Sequence, residues 1–263
     1  MELTTDYIKK FDGKWYKDTY YSSLFDSVEE GNLLKFGMDS FHDMFNSDVD
    51  FGGRMLDVGT GPVIHSILSA SRRLHHIDLS DYSPSNIDLL TDWKTDTSHG
   101  DYDALIKYEM KLADDRRSVS ERETEIKSKV LGIRRIDLTS ENVFQETASH
   151  DVLYDVIVSS LCLEAASADK EVYRKCLRNI SNLLKTGGYL IIFGVLEETF
   201  YRVGDVRFNC LHLTSEDIRT IYEGNGFKIL KWSTMFPEDH PPKVEENDFS
   251  DFKNVFAMMT QKI

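Results

Sequence analysis

The sequence predicts an α/β fold built on a mostly parallel sheet, with an antiparallel edge formed by its C-terminal segment. Three observations carry this reading. Short apolar runs alternate with helical apolar faces from residue 54 to residue 193, the signature of strand–helix–strand crossovers that cover both faces of a parallel sheet. The first run ends in a glycine-rich turn, Gly59-Thr60-Gly61. After residue 215 the order changes: one helical segment is followed by two strand-like runs with no helix between them.

Taken in order, Arg54 to Val58 is the first strand, bounded by that turn. Beyond it Val63, Ile64, Ile67, Leu68 and Ala70 recur at helical spacing, so a helix is expected there. His76 to Ser80 reads as the second strand, with Asp81 at its end. Pro84 to Trp93 reads as a helix, with proline in the first turn where its missing N–H costs nothing. From about 101 to 130, charges of both signs interleave with apolar residues, the pattern of a solvated helix pair. Gly132 to Leu138, Tyr154 to Ser160, and Tyr189 to Phe193 are the third to fifth strands, the last preceded by a Gly187-Gly188 turn. Between the fourth and fifth, Val172, Leu177, Ile180, Leu183 and Leu184 form one helical face. Ser215 to Asn225 is a further helix. Phe227 to Thr234 and Val255 to Thr260 complete seven strands, joined by a loop rich in Pro, Asp and Glu. The first 50 residues, rich in Tyr and Phe, hold no strand and should be helices over the open end of the sheet.

Of 263 residues, 31 are Lys or Arg and 45 are Asp or Glu, a formal charge of −14, with 41% hydrophobic residues. That apolar share supports a folded core. The acidic balance argues against a nucleic-acid partner, whose phosphates need Lys/Arg neutralisation, and against an anionic membrane surface. No stretch approaches the roughly 18 apolar residues of a membrane span, and the N-terminus lacks an apolar signal core. Cys162, Cys176 and Cys210 show neither a disulfide framework nor zinc spacing. Together these point to a cytoplasmic protein without a metal centre.

The Gly59-Thr60-Gly61 turn allows close approach of backbone to ligand. Position 64 is Ile, so the third glycine of a dinucleotide fingerprint is missing, which counts against NAD and FAD. Asp81 lies about 20 residues beyond the turn, where an acid accepts hydrogen bonds from ribose hydroxyls. Asp137 ends the third strand, within reach of an adenine amino group. Either could instead cap a helix start. Acids on successive strand ends nonetheless converge at the carboxyl edge of the sheet, where open α/β folds bind ligands.

The chain resembles class I S-adenosylmethionine-dependent methyltransferases. Within them it resembles the nicotinamide, phenylethanolamine and indolethylamine N-methyltransferases over nearly its whole length. Leu56-Asp57-Val58-Gly59-Thr60-Gly61-Pro62, Asp81-Tyr82-Ser83 with Asn86, Ile136-Asp137-Leu138 and Ser159 to Ala166 carry the match. So do Leu183 to Gly188, Leu196 to Glu198 with Tyr201 and Gly204, and Asp251 to Phe256, besides Trp15-Tyr16 and Tyr20-Tyr21 near the start. The resemblance implies a Rossmann-like class I methyltransferase fold in one domain, 1–263. It would divide into a helical lid (1–50), a cofactor core (51–195), and a substrate cap with the last strands (196–263). It also implies S-adenosyl-L-methionine as cofactor, a small-molecule amine as substrate and a monomeric enzyme.

Carried over by position, the cofactor contacts are Tyr16, Tyr21, Gly59, Gly61, His65, Asp81, Tyr82, Asn86, Asp137, Leu138 and Ser160. His65 stands where the family usually has Tyr, which would change the contact to the cofactor carboxylate. The substrate contacts are Tyr16, Gly194, Glu198, Tyr201, Cys210 and Asp251. Gly194 and Cys210 occupy positions where nicotinamide enzymes carry Asp and Ser. Glu164 and Glu198 match the two glutamates around the amine in phenylethanolamine N-methyltransferase, and Asp251 matches its acid near the catechol. Glu164 and Glu198 are therefore the expected catalytic pair, one binding the ammonium and one relaying its proton. Glu197 and Glu198 are adjacent, so at most one of them should face a pocket. The balance favours an amine; a pyridine N-methyltransferase and a catalytically inactive cofactor-binding relative are the competing readings.

Overall fold

A computed structural model describes residues 4–21, 30–96, 100–144, 152–237 and 249–263. Most of the acidic loop expected before Asp251 lies outside them. The strands are β1 (Arg54–Val58), β2 (His76–Asp81), β3 (Val130–Arg135), β4 (Tyr154–Ser160), β5 (Leu184–Leu196), β6 (Phe200–Val203), β7 (Val206–Asn209), β8 (Phe227–Thr234) and β9 (Asn254–Lys262). The helices are α1 (Thr4–Lys10), α2 (Gly13–Tyr16), α3 (Glu30–Phe45), α4 (Pro84–Thr95), α5 (Asp103–Leu112), α6 (Val119–Lys129), α7 (Lys170–Leu183) and α8 (Ser215–Gly224), with a π-helical turn at Lys17–Tyr21.

Seven strands form one sheet in the order β3-β2-β1-β4-β5-β9-β8. The first five are parallel, and β9 runs antiparallel between β5 and β8. The chain winds outward from β1 to β3 and then returns to β4, so the order reverses between β1 and β4. Their carboxyl ends open the crevice in which such sheets bind ligands. Alternation along the strands divides the core. Met55, Val156 and Val158 pack on one face, with Leu34, Met38, Phe41 and Phe45 spaced along one stripe of α3. Leu56 and Ile157 pack on the other, with Tyr173, Leu177 and Ile180 of α7. Asp169 caps α7 through the backbone N–H groups of Glu171 and Val172.

Four expectations are corrected. The segment after the glycine turn is not an α-helix but two 3₁₀ turns, His65–Ile67 and Ala70–Arg72. Residues 62–71 are buried on every side, so their apolar spacing marks no single face. Ser66 and Ser71 spend their hydroxyls on the Asp57 carboxylate and the Leu68 carbonyl, which competes with helix formation. The charged pair α5–α6 forms, but its inner face is not solvated. Arg122 is fully buried and donates to Glu109, the Leu68 carbonyl and Ser71. Charge density alone does not separate a solvated face from an internal ion-pair network. β3 ends at Arg135, so Asp137 follows the strand rather than closing it. β5 starts at Leu184, and the Gly187-Gly188 pair falls within it where the register against β4 shifts.

The β6–β7 hairpin was not anticipated. Its signal was present: Gly204-Asp205 separates two short β-prone runs, a recognised two-residue hairpin turn. Gly204 adopts the left-handed conformation at φ 59. Among the described residues, the N-terminal helices expected over the sheet are present, and no helix is long and apolar enough to cross a membrane.

Candidate active site

A cavity of about 600 Å³ lies at the carboxyl edge of β1, β2 and β4, roofed by α1, α2, the π-helical turn and the β6–β7 hairpin. Its size is that of a small-molecule site. Fourteen of the seventeen residues proposed from sequence are on its wall: Tyr16, Tyr21, Gly59, Gly61, His65, Asp81, Tyr82, Asp137, Leu138, Ser160, Glu164, Glu198, Tyr201 and Cys210.

At one end, Gly59 and Gly61 both take left-handed conformations, φ 69 and φ 67. A Cβ on Gly59 would lie 2.2 Å from the Cys162 sulfur, whereas one on Gly61 would meet nothing within 4 Å. Only glycine fits the first position, and the second leaves free space at the cavity wall. The Gly61 N–H donates to Asp81 Oδ2 at 2.8 Å, while Ser83 N–H (2.8 Å) and Asn86 Nδ2 (3.0 Å) donate to Oδ1. Burial raises the Asp81 pKa against the pull of these donors. Asn86 is fully buried behind Asp81 and is not on the cavity wall. Its place is as a support for the acid, not as a wall contact. Asp137 Oδ1 accepts from the backbone and hydroxyl of Thr139, at 2.9 and 2.7 Å, which fixes this carboxylate beside Leu138.

His65 Nε2 pairs with Ser160 Oγ at 2.8 Å. Burial pushes its pKa down to about 4, so the ring is neutral at pH 7. Its Nδ1 is buried without a partner among the described residues. These residues fit S-adenosylmethionine. Two oriented carboxylates on the wall can accept from hydroxyl and amino groups of a nucleoside, bare glycine backbone leaves room, and tyrosine rings can receive a sulfonium. Among the described wall residues there is no lysine or arginine.

At the other end stand Glu164 and Glu198. Glu164 follows β4 through Leu161, a non-glycine residue at φ 51 whose N–H donates to the Phe193 carbonyl. Glu198 follows Glu197, at φ 56, whose N–H donates to the Leu213 carbonyl. Left-handed residues of this kind cost about 1–3 kcal/mol and persist where surrounding structure fixes them, commonly at functional sites. Glu164 is 4% exposed and Glu198 6%. Burial pushes both carboxyls up to about 7, and for Glu198 the neighbouring Glu164 and Asp251 add to it against donation from Cys210 and Ser250. Glu197 is exposed beside His212.

Two substrate residues proposed from sequence are not on the wall. A Cβ on Gly194 would lie 3.0 Å from Glu164 Oε1 and 2.8 Å from the Phe256 ring. Gly194 therefore makes room for Glu164, whose Oε1 accepts the Val195 N–H at 3.1 Å. Asp251 accepts from Thr199 N–H (2.7 Å), Thr199 Oγ1 (2.6 Å) and Phe200 N–H (3.2 Å). It thus clamps the chain just after Glu198. Tyr201 stacks on Phe208, while Phe200 lies under the Arg207 guanidinium instead of on the wall.

Sequence reasoning missed Tyr7, Phe11, Phe208, Phe249 and Ser250, all on the wall. Tyr7 and Phe11 stack at 4.6 Å; their i,i+4 spacing was the available signal. Nothing local marks Phe249 or Ser250, which reach the site by pairing with β6.

Residues 1–263 match the NNMT/PNMT/TEMT family. Mouse (Mus musculus) indolethylamine N-methyltransferase is 30% identical over 227 residues, 86% of this chain and 85% of that protein. Human (Homo sapiens) nicotinamide N-methyltransferase is 26% identical over 98% of this chain and 95% of its own. Rat (Rattus norvegicus) phenylethanolamine N-methyltransferase is 27% identical over 81% and 73%. Among solved structures, magnesium protoporphyrin IX methyltransferase from Synechocystis PCC 6803 with bound SAH superposes with a TM-score of 0.59 at 11% identity, covering 98% of this chain and 97% of that one. At that identity the likeness concerns the fold alone. A match over the full length, with relatives of this coverage, means that the chain belongs to the NNMT/PNMT/TEMT family of S-adenosylmethionine-dependent methyltransferases, on the Rossmann-like class I fold.

Proposed function

We propose that this protein N-methylates a small arylalkylamine of the phenylethanolamine or indolethylamine kind. One observation carries the reading: two buried glutamates stand on a wall that also carries Tyr7, Tyr16, Tyr20, Tyr201 and Phe208 and, among the described residues, no lysine or arginine. When bound, S-adenosylmethionine supplies an activated methyl group on a sulfonium. Asp81 would hold the ribose, Asp137 with Leu138 the adenine, and Tyr16, Tyr21, His65 and Ser160 the methionine end. An alkylammonium has no lone pair, so the protein must remove a proton before the nitrogen can react. Glu198, with hydrogen-bond donors around it, suits the anchoring anion. Glu164, with backbone donors alone and its pKa pushed to about 7 by burial, suits the proton acceptor. The ammonium N–H bond breaks, the proton passes to the Glu164 carboxylate, and the lone pair remains on nitrogen. The tyrosines and Phe208 hold the aromatic ring and exclude water.

Gly194 favours an amine over nicotinamide, because an aspartate there would occupy the space of Glu164. The proposal includes a single domain with residues 1–50 as a lid, 51–195 as cofactor core and 196–263 as substrate cap. It also includes a cytoplasmic monomer with no nucleic-acid partner. A radiolabelled methyl-transfer screen against phenylethanolamines, tryptamines, nicotinamide and quinolines tests it. The expected result is transfer to primary or secondary arylalkylamines, lost in Glu164→Gln. Transfer confined to nicotinamide or quinolines, or amine turnover unchanged in both Glu164→Gln and Glu198→Gln, would refute it.

A further inference from the structure

We propose that Ser250 and Cys210 are positioning residues that hold Glu198 as a hydrogen-bond-accepting carboxylate, so that Glu198 rather than Glu164 anchors the ammonium; this rests on the amine reading above. The Ser250 hydroxyl joins Glu198 to the backbone. Its oxygen accepts the Phe252 N–H at 3.3 Å and lies 2.5 Å from Glu198 Oε1. The hydroxyl donates to the carboxylate, and the backbone donor helps to hold its oxygen in place.

Ser250 is itself held by backbone. It bridges Tyr201, and the neighbouring Phe249 carbonyl accepts the Arg202 N–H at 2.8 Å. Asp251 grips Thr199 and Phe200 on the other side. The segment beginning at Phe249 therefore clamps the chain that carries Glu198. Cys210, 4% exposed, brings its thiol to the same carboxylate, and its N–H is tied to the Thr199 carbonyl at 2.9 Å. Glu164 has backbone donors instead of side-chain ones, its own N–H among them. It takes the Val195 N–H and occupies the space beside Gly194.

The titratable groups around Glu198 are Glu164, Asp251, Cys210 and Tyr201. The first two are carboxylates that oppose its ionisation, so loss of a donor has a directional effect. Hydrogen bonding to the charged form of an acid lowers its pKa. Removing the Ser250 hydroxyl should raise the titration midpoint of Glu198, leave that of Glu164 unchanged or lower, and weaken amine capture at neutral pH.

The test is a titration of the full chain labelled with carboxyl-¹³C glutamate, followed by NMR, with Glu164→Gln and Glu198→Gln assigning the two resonances. Ser250→Ala should move the Glu198 midpoint up by about one pH unit, and Cys210→Ala should move it in the same direction. Ser250→Thr, which keeps the hydroxyl, should restore the parental midpoint. In turnover with tryptamine or phenylethanolamine, Ser250→Ala should raise KM roughly tenfold, the size of one lost hydrogen bond to a charged group, with kcat within about twofold. An unmoved Glu198 midpoint in both alanine variants overturns the proposal, as does a fall in kcat with KM unchanged. Should no amine be methylated, the amine reading falls, and the titration still decides whether Ser250 and Cys210 set the state of Glu198.

Discussion

Replacing Gly194 by alanine tests how the site holds Glu164, the proposed proton acceptor. The added Cβ would sit 2.8 and 3.0 Å from two ring carbons of Phe256 and 3.0 Å from Glu164 Oε1. Ordinary contact needs about half an ångström more in each case. Phe256 cannot swing away cheaply: it is 1% exposed and stacks on Trp232 at 5.0 Å, 14° between ring planes. Overpacking of this kind costs about 1–3 kcal/mol. If the Glu164 carboxylate moves, the buried Val195 N–H loses its acceptor, worth a further ~1–3 kcal/mol. Stability should therefore fall by about 2–6 kcal/mol, read from urea unfolding at constant m-value. Activity should fall more than stability explains, because a shift of about 1 Å in a reacting group costs on the order of 100-fold in rate. The assay is kcat/KM for the amine at a temperature where both proteins are folded. A double-mutant cycle with Glu164→Gln adds a control: once the carboxylate is gone, the alanine should cost little further activity. Parental unfolding together with parental kcat/KM in Gly194→Ala would refute the reasoning. So would full additivity in the cycle.

Other expectations follow from the same geometry. The carboxyls of Asp57, Glu164 and Glu198 are pushed up to about 7, so the folded chain binds more protons than the unfolded one and their stabilising contribution is lost as pH rises through 7. His65, pushed down to about 4, acts in the opposite sense only below its unfolded value of about 6.5. Between pH 6.5 and 8 the ligand-free protein should thus lose about 1–2 kcal/mol, seen as a lower Tm at pH 8; a flat or rising Tm contradicts the burial of these acids. Arg122→Ala should destabilise by about 3–5 kcal/mol because Glu109 is left buried with fewer partners, and Arg122→Met should recover part of the loss. Equal urea midpoints for the two variants would show that packing, not charge, is at stake. Asp81→Asn should weaken S-adenosylmethionine binding by tenfold or more, on the order of one charge-assisted hydrogen bond, measured by calorimetry without turnover. Unchanged affinity would remove Asp81 from the nucleoside site.

Legibility in the sequence followed the range over which each signal acts. Strands β1, β2, β4 and β8 were readable to within a residue because apolar runs and turn residues are local signals. The 62–72 segment was misread because helical spacing carries information only when one face is solvated, and here none is. The buried Arg122 network was unreadable for the converse reason: Glu109 and Arg122 lie on different helices, and only packing joins them. The site divided in the same way. Residues on strand ends, such as Asp81, were placed by motif. Gly194 and Asp251 were noticed, but whether they stand on the cavity wall or behind it depends on Phe256 and Thr199, contacts made across the sheet and the hairpin. Ser250 carried no signal, since its partner Glu198 is 52 residues away.

The charge of −14 distributed over the molecule does little to choose a ligand. Exposed acids are screened beyond about 8 Å at physiological ionic strength, and pairs such as Arg117 with Asp115 already neutralise part of the charge locally. Glu164 and Glu198 act under different rules. Each is nearly excluded from water, so burial favours their protonated forms, and Glu164 adds to the effect at Glu198. The charge of Glu164 opposes ionisation of Glu198, so the two resist carrying charge together. A cation entering between them reverses that balance, because its attraction is strongest in the same low-dielectric setting that penalised the empty pair. A neutral ring nitrogen gains nothing from this arrangement, and a carboxylated amine meets repulsion with no cation on the described wall to offset it. The selectivity proposed here for an ammonium would thus arise from the cost of keeping two acids dry. Gly194 permits that cost by giving Glu164 its place, and the clamp at Asp251 permits it by fixing Glu198.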